Sequence, residues 1–178
     1  HYNSNEAAAE ELSTAAKNAG AEHVSLVRAD ARKQKEIQRA VEQTADVHGY
    51  IDFLVVLFTQ PFDPKAWNET DEKATEQAYA NAFAIDVMGT KHAMDAAFPF
   101  LKKTKGSIIN FSSSPVISGY SEGTAYSVAK AAVKQLTMDY AQKYGKFGIR
   151  INAIAPGWVP HGTEKKSELE EAKKSTPL

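Results

Sequence analysis

Short apolar runs alternate along the chain with longer segments in which apolar residues recur at helical spacing. These runs lie at 51–57, 107–112 and 150–155, and residues 23–29 form a further short segment that alternates enough to be a strand. The segments between and before them lie at 6–19, 32–47, 70–101 and 124–144. Short runs bounded by turn residues are typical of strands, and longer segments with a period near 3.6 residues are typical of helices. The pattern therefore predicts strands and helices in regular alternation.

Local signals mark the ends of several predicted helices. Gly20, Gly49 and Gly145 directly follow three of the helical segments, as is typical of glycines that terminate helices. Asp30 precedes the helix predicted at 32–47 and could cap it. A final charged segment, 164–174, predicts an exposed helix that acts as a flap.

Strands that alternate with helices across short loops favour a parallel sheet covered on both faces. The continuous apolar run 51–57 is typical of a strand that is buried on both sides. We predict an α/β fold with a doubly wound, Rossmann-like parallel sheet in three α/β/α layers. Residues 1–178 would form a single domain, incompletely represented at both ends.

The composition excludes several kinds of site. The chain of 178 residues has no cysteine, which excludes disulfides and thiolate chemistry. Its formal net charge of -1 gives no reason to expect a nucleic-acid or acidic-membrane partner. The five histidines are scattered without ligand spacing, so we expect no metal site. No apolar run approaches the roughly 20 residues of a membrane span, and we expect a soluble, cytoplasmic protein.

Tyr126 and Lys130 form the first candidate for chemistry. They are four residues apart in a segment without glycine, and on a helix this spacing places both side chains on one face, one turn apart. A cation beside a phenol favours the phenolate. The pair could therefore act as a general acid/base on an alcohol or a carbonyl.

Further residues extend this pair into an ordered set. Ser113 follows the apolar run 107–112, and the C-terminal end of a strand is where an open α/β sheet places its ligands. The complete set is Ser113, Tyr126-x-x-x-Lys130 and Asn152-x-x-x-Pro156-Gly157. In order and spacing it resembles the short-chain dehydrogenase/reductase family, in particular classical members similar to 3-oxoacyl-carrier-protein reductases and glucose dehydrogenases.

The resemblance implies a reaction. Members of this family transfer a hydride between a nicotinamide dinucleotide and a ketone, an aldehyde or a secondary alcohol. By resemblance, Tyr126 is the general acid/base, Ser113 hydrogen-bonds the substrate oxygen, and Lys130 assists Tyr126 and holds the nicotinamide ribose. Subunits of the family usually pair through the helices predicted here at 70–101 and 124–144, which implies a homodimer or a homotetramer.

The resemblance also implies cofactor contacts near the ends of two strands. Pro156, Gly157 and the backbone near Val159 would lie against the nicotinamide. Asp30, which follows the run 23–29, resembles the residue that contacts the adenine.

The choice between NADP and NAD depends on Tyr2, Asn3 and Ser4. NAD-preferring members usually place an acid here, which holds both ribose hydroxyls and would repel a 2′-phosphate. None of these three residues is acidic, which favours NADP. NAD stays possible, since Asn3 and Ser4 would serve equally well as a strand end and a helix cap.

The sequence departs from the family in ways that leave two alternatives open. Asp86 replaces the family's catalytic asparagine, which holds a water in the proton relay, and is therefore a further candidate catalytic residue. Residues 56–59 replace the usual Asn-Asn-Ala-Gly. The family's first strand with its glycine-rich turn, and its last helix and strand, have no counterpart. We expect a catalytic protein with missing segments, because a sheet without its first strand would expose apolar faces. The alternative is a non-catalytic relative that binds dinucleotide or serves as a scaffold.

Overall fold

A parallel sheet lies at the centre of the fold. The computed structural model describes residues 1–60, 72–119, 123–157, 159, 167 and 170. Strands β1 (Phe53–Val56), β2 (Ser107–Phe111) and β3 (Arg150–Ile154) pair in the order β1-β2-β3, and both pairings are parallel. Parallel neighbours require crossover connections, and helices supply them here. The predicted α/β fold class is confirmed.

The helices follow the predicted segments closely. They are α1 (Glu6–Asn18), α2 (Gln34–His48), α3 (Glu72–Ala82), α4 (Gly89–Thr104), α5 (Pro115–Ser118) and α6 (Thr124–Gly145). A π-helical segment, Phe83–Met88, joins α3 to α4, so the helix predicted at 70–101 has three parts. No helix in the described part of the chain is long and apolar enough to cross a membrane.

Two local predictions were wrong. The run 23–29 forms only an isolated parallel bridge between Tyr2 and Arg28 instead of a strand. Asp30 does not cap α2. The N-cap residue of this helix is Lys33, and no side chain bonds to the free backbone N–H groups there. The Asp30 carboxylate instead accepts hydrogen bonds from the backbone and guanidinium of Arg32. The helix predicted at 164–174 lies outside the described residues apart from 167 and 170.

Helices α2, α4 and α6 cover one face of the sheet. Met94 and Leu101 of α4 and Ile108 of β2 are fully buried in one cluster with Tyr140 and Tyr144 of α6. Val56 of β1 packs in a second cluster with residues of α2 and α4. These contacts fix α4 and α6 against β2, so the C-terminal end of β2 lies beside both helices.

The other face of β1 is open in the described part of the chain. Phe53 is 70% exposed and Leu57 is 63% exposed, and Val55 between them is also exposed. Side chains of a strand alternate between its two faces, which explains why Leu54 and Val56 are covered while their neighbours are not. The prediction that 51–57 is buried on both faces is therefore wrong for these described residues.

Candidate active site

Backbone pairing between β2 and β3 continues past both strands. Ser112 N donates to Ile154 O at 2.8 Å, and Ser114 N donates to Pro156 O at 2.9 Å. A side chain at Gly157 would begin 3.9 Å from Ser114 Oγ. Ser113 is buried. It lies in the segment 112–114, here called the serine turn, which runs beside Pro156 and Gly157 because the C-terminal ends of adjacent parallel strands meet at one edge of the sheet.

Helix α6 is hydrogen-bonded to the same end of β2. Ser112 Oγ donates to Lys130 O at 2.9 Å, and Lys130 Nζ donates to Phe111 O at 3.2 Å. The two bonds run in opposite directions between one turn of helix and one strand end. They bring the helical turn that carries Tyr126 and Lys130 to the serine turn.

Lys130 is the central charge of the site. Only 3% of the residue is exposed, yet its ammonium has three partners. It donates to Phe58 O at 2.9 Å and to Phe111 O at 3.2 Å, and it lies 2.8 Å from Asp86 Oδ1. A lysine ammonium has three N–H groups; two of them bond to carbonyls, and the nearby carboxylate balances the charge. A buried cation is tolerable only when it is paired in this way.

Tyr126 lies one turn before Lys130 on the same face of α6, as predicted. The Lys130 ammonium lies 5.7 Å from the centre of the Tyr126 ring, within the range in which a cation interacts with an aromatic face. Tyr126 is half-buried. It therefore has a buried positive charge on one side and remains partly open to a ligand.

Asp86 lies opposite Lys130, in the π-helical segment. The residue is fully buried. Its Oδ2 accepts from Gln60 N at 3.2 Å. Its Oδ1 receives no well-directed hydrogen bond from the described residues, so the ammonium at 2.8 Å balances it. Single π-helical turns inside α-helices are frequent at functional sites. Asp86 thus lies within ion-pair distance of Lys130.

The predicted adenosine-side residues form a second group. Tyr2 pairs with the segment 27–29 through Tyr2 N to Val27 O at 3.1 Å and Ala29 N to Tyr2 O at 3.0 Å. Arg28 Nε donates to Asn3 O at 2.9 Å. Ser4 is exposed, and Asn5, rather than Asn3 or Ser4, caps α1 by accepting from Ala8 N. A guanidinium thus lies beside the residues predicted to select the cofactor.

Asp30 is held by its neighbour. The Arg32 guanidinium donates to both carboxylate oxygens, and its closest contact is 2.7 Å, from Nη2 to Oδ2. The hydrogen bonds from this guanidinium hold the pKa of Asp30 below its ordinary value, against the opposing effect of burial. The carboxylate therefore stays charged and already has a cationic partner.

The two groups meet at Phe58 and Gly89. A Cβ on Gly89 would lie 3.0 Å from both Ala31 Cβ and Phe58 Cδ2, so a larger residue there would displace one of them. Ala31 follows Asp30 in the chain, and the Phe58 carbonyl accepts a hydrogen bond from Lys130 Nζ. The structure thus brings Ser113, Tyr126, Lys130 and Asp86 together with Pro156 and Gly157. Tyr2, Asn3 and Asp30 lie outside that group, and Val159 is exposed without a described neighbour on either side.

Sequence reasoning missed three contributors to the site. The Phe58 carbonyl and the Gln60 amide are main-chain groups, which leave no mark in residue identity. Arg28 could have been found from the sequence. It lies in the segment that pairs with Tyr2, and because side chains alternate between the two faces of an extended segment, its position determines its face. In the described part of the chain, no group of three or more metal-ligating side chains occurs.

The chain is similar to one protein family and to several known dehydrogenases. Residues 1–178 match the family described as Enoyl-(Acyl carrier protein) reductase. L-fucose dehydrogenase of Mus musculus is 29% identical over 133 residues. Trans-4-hydroxycyclohexanecarboxylate dehydrogenase of Sinomonas cyclohexanicum is 38% identical over 88 residues, which cover 49% of this chain and 34% of that protein.

A solved structure shows the same fold. The crystal structure of a protein described as a short-chain dehydrogenase/reductase, from Burkholderia xenovorans, superposes with a TM-score of 0.83 and 27% identity, covering 100% of this chain and 71% of that one. The match to L-fucose dehydrogenase covers 74% of this chain but only 47% of that protein, so the chain spans about half the length of that relative. With the family match over its whole length, the chain belongs to the short-chain dehydrogenase/reductase family.

Proposed function

We propose that the protein is an oxidoreductase that transfers a hydride between NADP(H) and a ketone, an aldehyde or a secondary alcohol. The observation that carries this proposal is the buried Lys130 ammonium, 5.7 Å from the Tyr126 ring, at the strand end that also holds Ser113. A half-buried phenol, a fixed cation and a nearby hydroxyl suit the transfer of a proton to or from a substrate oxygen.

The side chains have distinct roles in this proposal. The dinucleotide supplies or accepts the hydride when it is bound. Tyr126 gives its phenolic proton to the carbonyl oxygen in reduction and takes it back in oxidation. Ser113 donates a hydrogen bond to the same oxygen, where charge develops. Lys130 places a fixed positive charge 5.7 Å from the centre of the Tyr126 ring. Asp86 acts on Lys130 rather than on the substrate.

The residues fit one end of a dinucleotide well. Hydroxyl and ammonium groups for a ribose, and a Pro156–Gly157 turn without bulky side chains, lie at the C-terminal ends of β2 and β3, where α/β sheets bind ligands. At the other end, Arg28 lies beside Asn3, and a guanidinium is well suited to bind a phosphate. This contact, and the lack of an acid at Tyr2, Asn3 and Ser4, favour NADP over NAD.

Exposed apolar residues on two helical elements support a homo-oligomer. Phe83 and Met88 lie at the two ends of the π-helical segment, and Val128 and Met138 lie on α6; all four are exposed. Apolar side chains exposed along neighbouring helices are typical of subunit contacts. We propose a homodimer or a homotetramer that pairs through these helices.

One observation favours a second candidate, a non-catalytic dinucleotide-binding or scaffold protein. The Lys130 ammonium already donates to two protein carbonyls and is paired with the Asp86 carboxylate, so the protein by itself meets most of its bonding needs. In such a protein, Lys130 would hold the fold together and would take no part in a reaction.

Two measurements on the full-length protein separate the candidates. NADPH and NADH titrations, followed by fluorescence, report binding. NADPH oxidation with a panel of ketones and aldehydes then reports turnover. Turnover that Tyr126→Phe abolishes supports the oxidoreductase. Tight binding of NADPH without turnover of any carbonyl in the panel supports the scaffold.

A further inference from the structure

The two carboxylate oxygens of Asp86 face two different donors. Oδ1 lies 2.8 Å from the Lys130 ammonium, and Oδ2 accepts from Gln60 N at 3.2 Å. The residue is fully buried, so water cannot replace either partner at low cost. The position therefore needs two acceptors.

An asparagine could meet only half of this need. An amide has one acceptor oxygen and an NH2 group that only donates. At position 86, one of these must face the ammonium and the other the Gln60 amide. In either orientation, the NH2 group of the asparagine faces another donor, the ammonium or the Gln60 N–H. A buried donor without an acceptor is destabilising. The family's usual asparagine therefore does not suit the surroundings that this chain provides.

We propose that Asp86 is a positioning residue, whose carboxylate fixes the Lys130 ammonium and the backbone of segment 58–60 in one arrangement. Segment 58–60 closes the arrangement from the other side, because Phe58 O accepts from Lys130 Nζ while Gln60 N donates to Asp86. The carboxylate at 86, the Lys130 ammonium and the main chain of 58–60 thus form one closed set of contacts. Any effect of Asp86 on hydride transfer rests on the proposed function; the positioning itself does not.

Backbone hydrogen exchange tests the positioning without any reaction. The measurement is the exchange rate of the Gln60 amide in the full-length protein without dinucleotide, in wild type and in Asp86→Asn. The Gln60 amide should be protected in wild type and should exchange about tenfold faster or more in Asp86→Asn. Asp139→Asn is the matched control, since it makes the same change at an exposed position on α6, away from Lys130, and it should leave Gln60 exchange within about twofold of wild type.

A kinetic comparison then tests the consequence for the reaction. Asp86→Asn should lower kcat about tenfold or more while changing KM for the carbonyl substrate little, because Lys130 is misplaced but the substrate pocket is not. An unprotected Gln60 amide in wild type overturns the proposal even if Asp86→Asn fails to fold, and so does an Asp86→Asn variant with wild-type exchange and kcat. If wild type has no turnover while the exchange result holds, the proposed function fails and the positioning role stands.

Discussion

At the level of single residues, the proposed chemistry depends on one hydroxyl, which contributes little to the fold. Tyr126 is half-buried, and the contact that places it in the site is made by its ring, over the Lys130 ammonium. Tyr126→Phe keeps that ring. We expect turnover to fall about 10²–10⁴-fold, the usual contribution of a positioned general acid/base. The free energy of unfolding should change by about 1 kcal/mol or less.

Steady-state assays and urea denaturation of Tyr126→Phe check this expectation. Tyr50→Phe, at an exposed tyrosine before β1, is the matched control and should retain full turnover. A Tyr126→Phe variant with wild-type kcat would show that another group exchanges the proton.

Arg28 determines cofactor preference in the proposed function. Its contact with Asn3 O places a positive charge beside the residues predicted to face the 2′ position. Arg28→Ala should raise KM for NADPH roughly tenfold and leave KM for NADH nearly unchanged, because only NADPH carries the phosphate. Arg39→Ala, at another exposed arginine on α2, should change neither value. Equal effects of Arg28→Ala on both cofactors would contradict a phosphate contact.

The sequence identified side chains whose chemistry and spacing are local. Tyr126 and Lys130 share one helix, and Ser113 directly follows a strand, so each could be placed from its own element. The prediction that Asp30 caps α2 was wrong. The sequence does not show that the Arg32 guanidinium bonds to the Asp30 carboxylate. The Phe58 carbonyl and Gln60 amide could not be predicted, since every residue but proline carries both main-chain groups.

At the level of elements, pattern and breaker residues predicted most helices within one or two residues. Gly49 ends α2 in the left-handed conformation with φ 82°, as expected for a helix-terminating glycine. The π-helical segment Phe83–Met88 was not predicted, because its extra residue barely alters the local apolar pattern. The strand expected at 23–29 is reduced to one bridge. A strand needs neighbours on which to pair, and in the described part of the chain this segment pairs only with Tyr2.

Asp95 joins α4 to α6 and gives the fold a pH-dependent contribution. Its carboxylate accepts from the hydroxyls of Tyr140 and Tyr144, both at 2.9 Å, and from Lys91 Nζ at 2.8 Å. Partial burial acts to raise the pKa of Asp95, but these hydrogen bonds outweigh it and hold that pKa below its ordinary value. The stabilisation is therefore present above the unfolded-state pKa, about 3.9, and is lost as pH falls through the lower folded-state pKa.

Urea denaturation of wild type and Asp95→Asn at two pH values tests this contribution. Near pH 7 the variant should be the less stable protein, because its amide carries no charge to attract Lys91. At a pH below about 3 the difference should shrink, since the wild-type carboxyl is then protonated as well. Asp139→Asn, at an exposed position on α6, should show a smaller effect at both values. A difference for Asp95→Asn that stays constant across this range would rule out the charged carboxylate as its source.

At the level of the whole molecule, the distribution of apolar surface is uneven. The sheet is well packed on the side of α2, α4 and α6, while Phe53 and Val55 of β1, and Leu57 after it, are exposed. The sequence predicted the layer on the first side correctly because α2, α4 and α6 carry apolar residues at helical spacing. It could not predict the second side, since burial there depends on which further elements pack against the strand.

The proposed oligomer is the last expectation, and it concerns the apolar surface on the helices rather than on the sheet. Met138 on α6 is 52% exposed, and exposed apolar side chains are favourable only where a partner removes them from water. Light scattering on the full-length protein at micromolar concentration should give the mass of a dimer or a tetramer. Met138→Glu should reduce that mass, because a subunit contact would bury the new charge without a partner. Leu12→Glu makes the same kind of change on α1, at a residue that is 70% exposed, and should leave the mass unchanged. A wild-type monomer would refute the pairing, and a mass that falls equally in both variants would show that the contact is not made through α6.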